Sequence, residues 1–271
     1  MRNKSHLLII GPIGDIGGRE LETGFIAHTL KEEFVVKVLS TSHLTSNSQI
    51  FDFISKREVK SLDALIFKNS MWYRFLALIS YYKSSRSRSI LQFVNNSLSK
   101  KTGYRDFALK QIKLEIDKSD AVVICAQISS NYIKEVVEYS SSKKKPLIVR
   151  TSNTIKKTDK NHSDWIEKVD LFIHHSLSNA NRLSFINNYK FKIIDQCVFK
   201  EVEMLNLPPA KELKSLLFVG RLSNEKGVIE VLKFFIDNDL GVNLKIIGDG
   251  ELNDEVRDLT RESNNLEFMG F

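Results

Sequence analysis

Short, unbroken apolar runs recur along this chain, each followed by a stretch with helical spacing, and this alternation limits the fold more than any other feature. A strand that is apolar on both sides has to be covered on both faces. That condition is met by a parallel sheet whose crossover helices pack above and below it. His6–Ile10, Phe34–Leu39, Ala121–Ala126, Pro146–Arg150, Asp170–His175 and Phe191–Asp195 read as such strands, with Leu62–Phe67 as a further one near the front. Between them, helices are expected over Arg19–Lys31, with Leu21, Phe25 and Leu30 on one side, and through a long region from about Ser70 to Asp117. Further helices are expected over Asn131–Ser140, His162–Val169 and Ser178–Tyr189.

Leu207-Pro208-Pro209 interrupts the rhythm, because proline extends neither a helix nor a central strand. The sequence therefore divides into a first domain, residues 1–206, and a second, residues 207–271. In the second, Leu216–Val219, Val242–Ile247 and Leu266–Met269 read as strands, and Gly227–Ile236 and Glu251–Glu262 as helices. Doubly wound sheets generally carry about five or six strands. Three strands leave an edge and part of an apolar face bare, so the expectation is a fragment or a truncated second lobe.

Composition narrows the function. Of 271 residues, 42% are hydrophobic and 27% charged, as in soluble globular proteins. The formal charge of +7 suits an anionic partner: nucleic acid, anionic lipid or a phosphorylated small molecule. No nucleic-acid-binding module is present, and the aromatic residues form no stacking motif. Leu7-Leu8-Ile9-Ile10 is too short for a secretory signal, and the longest apolar stretch, Met71 to Tyr82, is too short to span a bilayer. The two cysteines, Cys125 and Cys197, lack metal-ligand spacing and read as reduced structural thiols.

The segment richest in chemistry is Leu216-Leu217-Phe218-Val219-Gly220-Arg221-Leu222-Ser223-Asn224-Glu225-Lys226-Gly227. A buried strand should end at Gly220 and a helix open at Gly227. Ligands of open parallel sheets bind at the carboxyl ends of strands, and a helix start offers amide donors to phosphate. Arg221 can hold phosphate oxygens with two bonds, and Lys226 adds a point charge. The plainer reading is a solvated basic turn.

The whole string, Gly-Arg-Leu-x-x-Glu-Lys-Gly, resembles the signature that opens the C-terminal lobe of family 4 glycosyltransferases, which have the GT-B fold. Leu244-Lys245-Ile246-Ile247-Gly248-Asp249-Gly250-Glu251 and Asn265-Leu266-Glu267-Phe268-Met269-Gly270-Phe271 resemble the two signatures that follow, in the same order. Near the front, Gly11-Pro12-Ile13-Gly14-Asp15-Ile16-Gly17-Gly18 is neither a Walker loop nor a strict G-x-G-x-x-G. It is similar to the family's first loop, whose paired glycines, here Gly17 and Gly18, let backbone approach substrate. Asp170–Ser176 resembles the family's strand ending in serine.

There are departures. Ile193-Ile194-Asp195-Gln196 stands where many members have Ile-Pro-Asn-Gly, so Gln196 receives no donor role. Arg150-Thr151-Ser152-Asn153 replaces a segment that often carries histidine, leaving a polar residue there to face the acceptor. The family's E-x7-E pair has no counterpart within residues 1–271.

Weaker signals favour bland readings. Asp237-Asn238-Asp239 is a D-x-D string that reads as a helix-ending turn. His174 and His175 point to opposite faces of a strand and make a poor metal pair. Met71–Tyr82, followed by Lys83, Arg86, Arg88, Lys100 and Lys101, reads as a core helix and basic loop, or else as an interfacial membrane segment. Lys143-Lys144-Lys145 reads as a solvated charge run.

The resemblance implies a GT-B protein with two Rossmann-like lobes, the second incomplete. It implies a retaining glycosyltransferase that uses a nucleoside-diphosphate-sugar and no cofactor or metal. Arg221 and Lys226 would bind the donor diphosphate, and Gly17, Gly18, Gly220, Gly248 and Gly250 would form the cleft loops. The acceptor would be a glycan or lipid-linked sugar in bacterial surface polysaccharide assembly, in the cytoplasm or at its membrane face, with no nucleic-acid partner. The alternative is an inactive, truncated glycosyltransferase-like protein that binds nucleotide or serves as a partner. A nicotinamide-dependent oxidoreductase is disfavoured, because Phe34–Leu39 is followed by Ser40, Thr41 and Ser42 and no acidic ribose ligand.

Overall fold

Leu7 and Ile9 on the first strand face one apolar cluster while Leu8 and Ile10 face another, and all four are buried. The sheet is thus covered on both sides, as its unbroken apolar strands require. The computed structural model describes residues 4–84, 88–156, 163–196, 198–238 and 240–270. Arg86, His162, Cys197, Asp239 and Phe271 lie outside the described residues. The chain forms two compact units, Met1–Phe199 and Lys200–Phe271.

Unit 1 runs β1 (His6–Gly11), α1 (Gly18–Leu30), β2 (Val35–Ser40), β3 (Val59–Ser61), α2 (Leu62–Asn69), α3 (Met71–Lys83), α4 (Ser97–Lys101) and α5 (Tyr104–Asp117). It continues with β4 (Ala121–Ala126), α6 (Ile133–Ser142), β5 (Leu147–Thr151), α7 (Ser163–Ile166), β6 (Leu171–His174), α8 (Leu177–Asn181) and β7 (Phe191–Ile193). The seven strands pair in parallel in the order β3-β2-β1-β4-β5-β6-β7. The winding reverses between β1 and β4, and a crevice at the carboxyl ends opens at such a switch point.

Three expectations need correction. Leu62–Phe67 is helical, not a strand. The third strand is the shorter Val59–Ser61, and Ser61 caps α2 by accepting from the Ala64 amide, 3.2 Å away. Leu62 and Ile66 lie one turn apart and are both buried, which helical packing explains. On α1 the buried side is Glu20, Thr23, Gly24 and Ala27, whereas Leu21 is exposed. Small residues win that face because Phe53 comes so close that a Cβ on Gly24 would sit 2.6 Å from its ring. Helix α8 stops at Asn181, well short of Tyr189.

Unit 2 holds α9 (Glu201–Leu205), β8 (Ser215–Val219), α10 (Val228–Asp237), β9 (Asn243–Ile247), α11 (Asn253–Leu259) and β10 (Leu266–Gly270). Its three parallel strands lie in the order β10-β9-β8. Leu232, Phe235, Leu244, Ile246 and Val256 form the core between the sheet and its two helices. The strand before Gly220 is not buried as expected: on β8 Leu216, Leu217 and Val219 are exposed, and Phe218, partly buried, is the residue that packs against the core; Met269 on β10 is exposed as well.

Candidate functional site

In unit 2 the candidate region is formed by two loops at the carboxyl ends of β8 and β9. Leu222 is fully buried and anchors the β8 loop, its amide donating to the Asp249 carbonyl at 2.9 Å. A Cβ on Gly248 would overlap the Gly220 carbonyl, and one on Gly250 would overlap the backbone of Leu222. Both positions therefore exclude side chains so that the two loops can lie backbone to backbone. The Asp249 carboxylate is turned into its own loop, accepting from the Gly250 amide at 2.8 Å and Asn253 Nδ2 at 3.1 Å.

Arg221 and Lys226 stand on the β8 loop and are exposed. Among the described residues neither side chain makes a hydrogen bond or ion pair, while both backbones are bonded to Ser223 within the loop. Lys226 ends a one-turn 3-10 helix, Asn224–Lys226. Gly227 then adopts φ 68°, a left-handed conformation that favours glycine, and turns the chain into α10. No side chain caps α10. Its first amides and the positive end of its dipole are left for solvent or an anion.

Unit 1 has a candidate region of its own, at the β1–β4 switch point. The glycine-rich loop folds around a carboxylate of its own chain: Glu20, buried, accepts from the Gly14 amide at 2.6 Å. Gly17 has φ 149°, and a Cβ there would stand 2.8 Å from Glu20 Oε2. The Gly17 amide donates to Gln49 Oε1 at 2.9 Å. Gly17 is thus required by the loop itself. Gly18 is different, being exposed at the start of α1 with nothing within 4 Å of where a Cβ would be.

A buried ionic cluster, which sequence reading did not assemble, sits under the carboxyl ends of β5 and β6. Arg150 is 3% exposed. Its Nε donates to Glu22 Oε1 at 2.7 Å, Nη1 to the Ile194 carbonyl at 2.6 Å, and Nη2 to His175 Nδ1 at 2.6 Å. Arginine only donates, so His175 accepts through Nδ1 and carries its proton on Nε2. Burial, helped by the Arg150 charge, holds the His175 pKa below its ordinary value. The segment 150–153 therefore turns its arginine inward, and Ser152 accepts from Arg19 Nε at 3.3 Å. In the first turn of α2, Asp63 accepts from the hydroxyl of Tyr104 on α5 at 3.1 Å, and burial raises its pKa.

The remaining candidates are structural. His174 is fully buried, meets Thr151 Oγ1 at 2.8 Å through Nδ1 and the Tyr189 hydroxyl through Nε2, and burial drops its pKa to about 4. Cys125 is buried and its thiol is pushed up to about 12, so it is unreactive. Ser176 caps α8 by accepting from the Asn179 amide at 3.2 Å. Asp237 ends α10, as a helix-ending turn requires. Among the described residues no group of three or more His, Cys, Asp or Glu is placed to hold a metal ion. No described helix is long and apolar enough to cross a membrane.

No family model matches the sequence, and no curated protein matches it. Its fold does match solved structures. Anabaena HepE, solved with UDP and glucose, aligns at a TM-score of 0.59 and 15% identity over 98% of this chain and 69% of its own. The lipopolysaccharide outer core galactosyltransferase WaaB aligns at 0.58 and 14%, over 98% and 68%. A UDP-N-acetylglucosamine 2-epimerase from Rickettsia bellii aligns at 0.51 and 10%, over 98% and 69%. The fold is therefore of the GT-B type, with a Rossmann-like parallel sheet in each unit. Nucleotide-sugar glycosyltransferases are among the proteins that share it, and so is an epimerase.

Proposed function

We propose that this chain is a family 4-like glycosyltransferase that moves a sugar from a nucleoside-diphosphate donor to a hydroxyl of a glycan or lipid-linked acceptor. The anomeric configuration is retained and no metal is needed. The setting is surface-polysaccharide assembly on the cytoplasmic side of a bacterial membrane.

The observation that carries the reading is the pair Arg221 and Lys226, exposed and with no side-chain partner among the described residues, beside the uncapped start of α10. An unpaired arginine at the carboxyl end of a parallel strand fits a bidentate hold on phosphate oxygens. When the sugar–phosphate bond breaks, negative charge grows on the departing diphosphate. Two cations and a row of amide donors stabilise that charge without a metal ion. HepE, of like fold, was solved with UDP-glucose, which supports a nucleotide-sugar donor here. Gly18 supports a bare loop surface in unit 1, since neither backbone nor packing demands glycine there.

The test supplies the complete natural protein with UDP-, GDP-, dTDP- and ADP-sugars, with and without lipid-linked acceptors, and follows nucleotide release and the sugar product. Acceptor-dependent release that disappears in Arg221→Ala/Lys226→Ala is expected. Undiminished turnover in that double variant overturns the assignment. Sugar inversion at C2 without any acceptor points to epimerase chemistry, and nucleotide binding without release points to an inactive binding protein.

A further inference from the structure

Between Asp63 and Asp106 the chain contains eight lysines and arginines and no aspartate or glutamate. The whole protein carries +7, so this one segment accounts for all of its excess charge. The segment includes α3, which is apolar nearly all round. Tyr73, Leu76 and Ala77 are buried against the core. On the other side Met71, Phe75 and Tyr82, at i, i+4 and i+11, are 83%, 54% and 60% exposed, and Trp72 beside them is 52% exposed. A helix that is apolar on its outer side as well as its inner one belongs in a core or against lipid.

The cations accompany that surface. Arg74 and Lys83 are exposed on α3 itself. Helix α4, bearing exposed Leu98, Lys100 and Lys101, is tied to α3 by Asn96 Nδ2 donating to the Leu76 carbonyl at 3.2 Å and by the Tyr73 hydroxyl donating to the Thr102 carbonyl at 2.8 Å. Exposed apolar rings on a segment whose charged residues are all cationic match an anionic bilayer, whose headgroups attract the charge and whose acyl boundary takes the rings.

We propose that the outer face of α3 is a docking surface for an anionic lipid bilayer, with Met71, Trp72 and Phe75 inserted and α3 lying in the plane of the interface. The proposal stands apart from the transfer reading, because vesicles alone supply neither donor nor acceptor, so lipid binding and nucleotide release fail separately.

The tryptophans provide the probe: Trp165 is 2% exposed, so a change in environment on docking is reported by Trp72. The full chain is mixed with phosphatidylcholine vesicles with and without phosphatidylglycerol. A blue shift of tryptophan emission and co-sedimentation are expected with the anionic vesicles only, weakening as salt is raised. Met71→Ser/Phe75→Ser abolishes the shift, and Lys100→Glu/Lys101→Glu lowers partitioning by at least about tenfold. A urea melt matching the parent shows that each variant is folded. If a variant unfolds, quenching of the parent's Trp72 by brominated lipid decides. Unchanged emission and no sedimentation with anionic vesicles at low salt overturns the proposal. So does binding to a single-stranded RNA oligonucleotide without binding to vesicles.

Discussion

Arg150 Nε lies 2.7 Å from Oε1 of Glu22, joining the end of β5 to α1 across 128 residues of sequence. The guanidinium is almost wholly buried, so its charge is supported by this carboxylate, a backbone carbonyl and His175. Removing Glu22 leaves a buried cation without a counter-charge. Glu22→Ala should cost about 3–5 kcal/mol in urea unfolding, whereas Glu22→Leu/Arg150→Met should recover most of that loss.

Gly248 and Gly24 are glycines that packing needs, and Gly18 is one that it does not. Gly248→Ala pushes a methyl into the Gly220 carbonyl and should destabilise unit 2 and abolish nucleotide binding. Gly24→Ala meets the Phe53 ring and should cost about 1–3 kcal/mol. Gly18→Ala meets nothing and should stabilise the start of α1 by up to about 1 kcal/mol. Turnover should fall in Gly18→Ala all the same if that surface is kept bare for substrate. Thermal melts and activity, measured together, check the three.

The side chains of Arg221 and Lys226 have no partners among the described residues to lose. Their double alanine variant should melt within about 0.5 kcal/mol of the parent. Calorimetric titration with nucleoside diphosphate should show affinity lowered by about tenfold or more, the loss of charge-assisted hydrogen bonds.

His174 makes stability depend on pH. Its pKa is about 4 in the folded protein and near 6.5 in the unfolded chain, so between these values the unfolded state binds more protons. The stabilisation is complete above pH 6.5 and is lost as pH falls toward 4, by at most about 1.4 kcal/mol per pH unit. Urea midpoints measured at several pH values should show this slope, and His174→Gln should flatten it.

Cys125 should resist alkylation in the native protein and react once the chain is unfolded. Peptide mapping by mass spectrometry separates it from Cys197. Rapid native labelling of Cys125 would contradict its burial and raised pKa.

Much of this was legible in the residues. Leu7 to Ile10 and Val122 to Cys125 announce doubly covered strands because burial on both faces needs apolar side chains at every position. The glycines at 220, 248 and 250 are visible as motif positions, although the reason for the last two, contact between two loops, is not. Leu62–Phe67 misleads because a short apolar run fits strand and helix alike, and a serine cap settles it. Leu21 misleads because α1 packs through small residues, which no apolar count detects.

By itself, then, the sequence determined the class of fold and the position of the cationic loop, since periodicity and local turn chemistry act over a few neighbouring residues. Tertiary structure alone decided that Arg150 meets Glu22 and His175, that Glu20 fills its own glycine loop, and that one side of α3 stays uncovered. Those outcomes depend on which distant segments share space, and so on the winding order of the sheet.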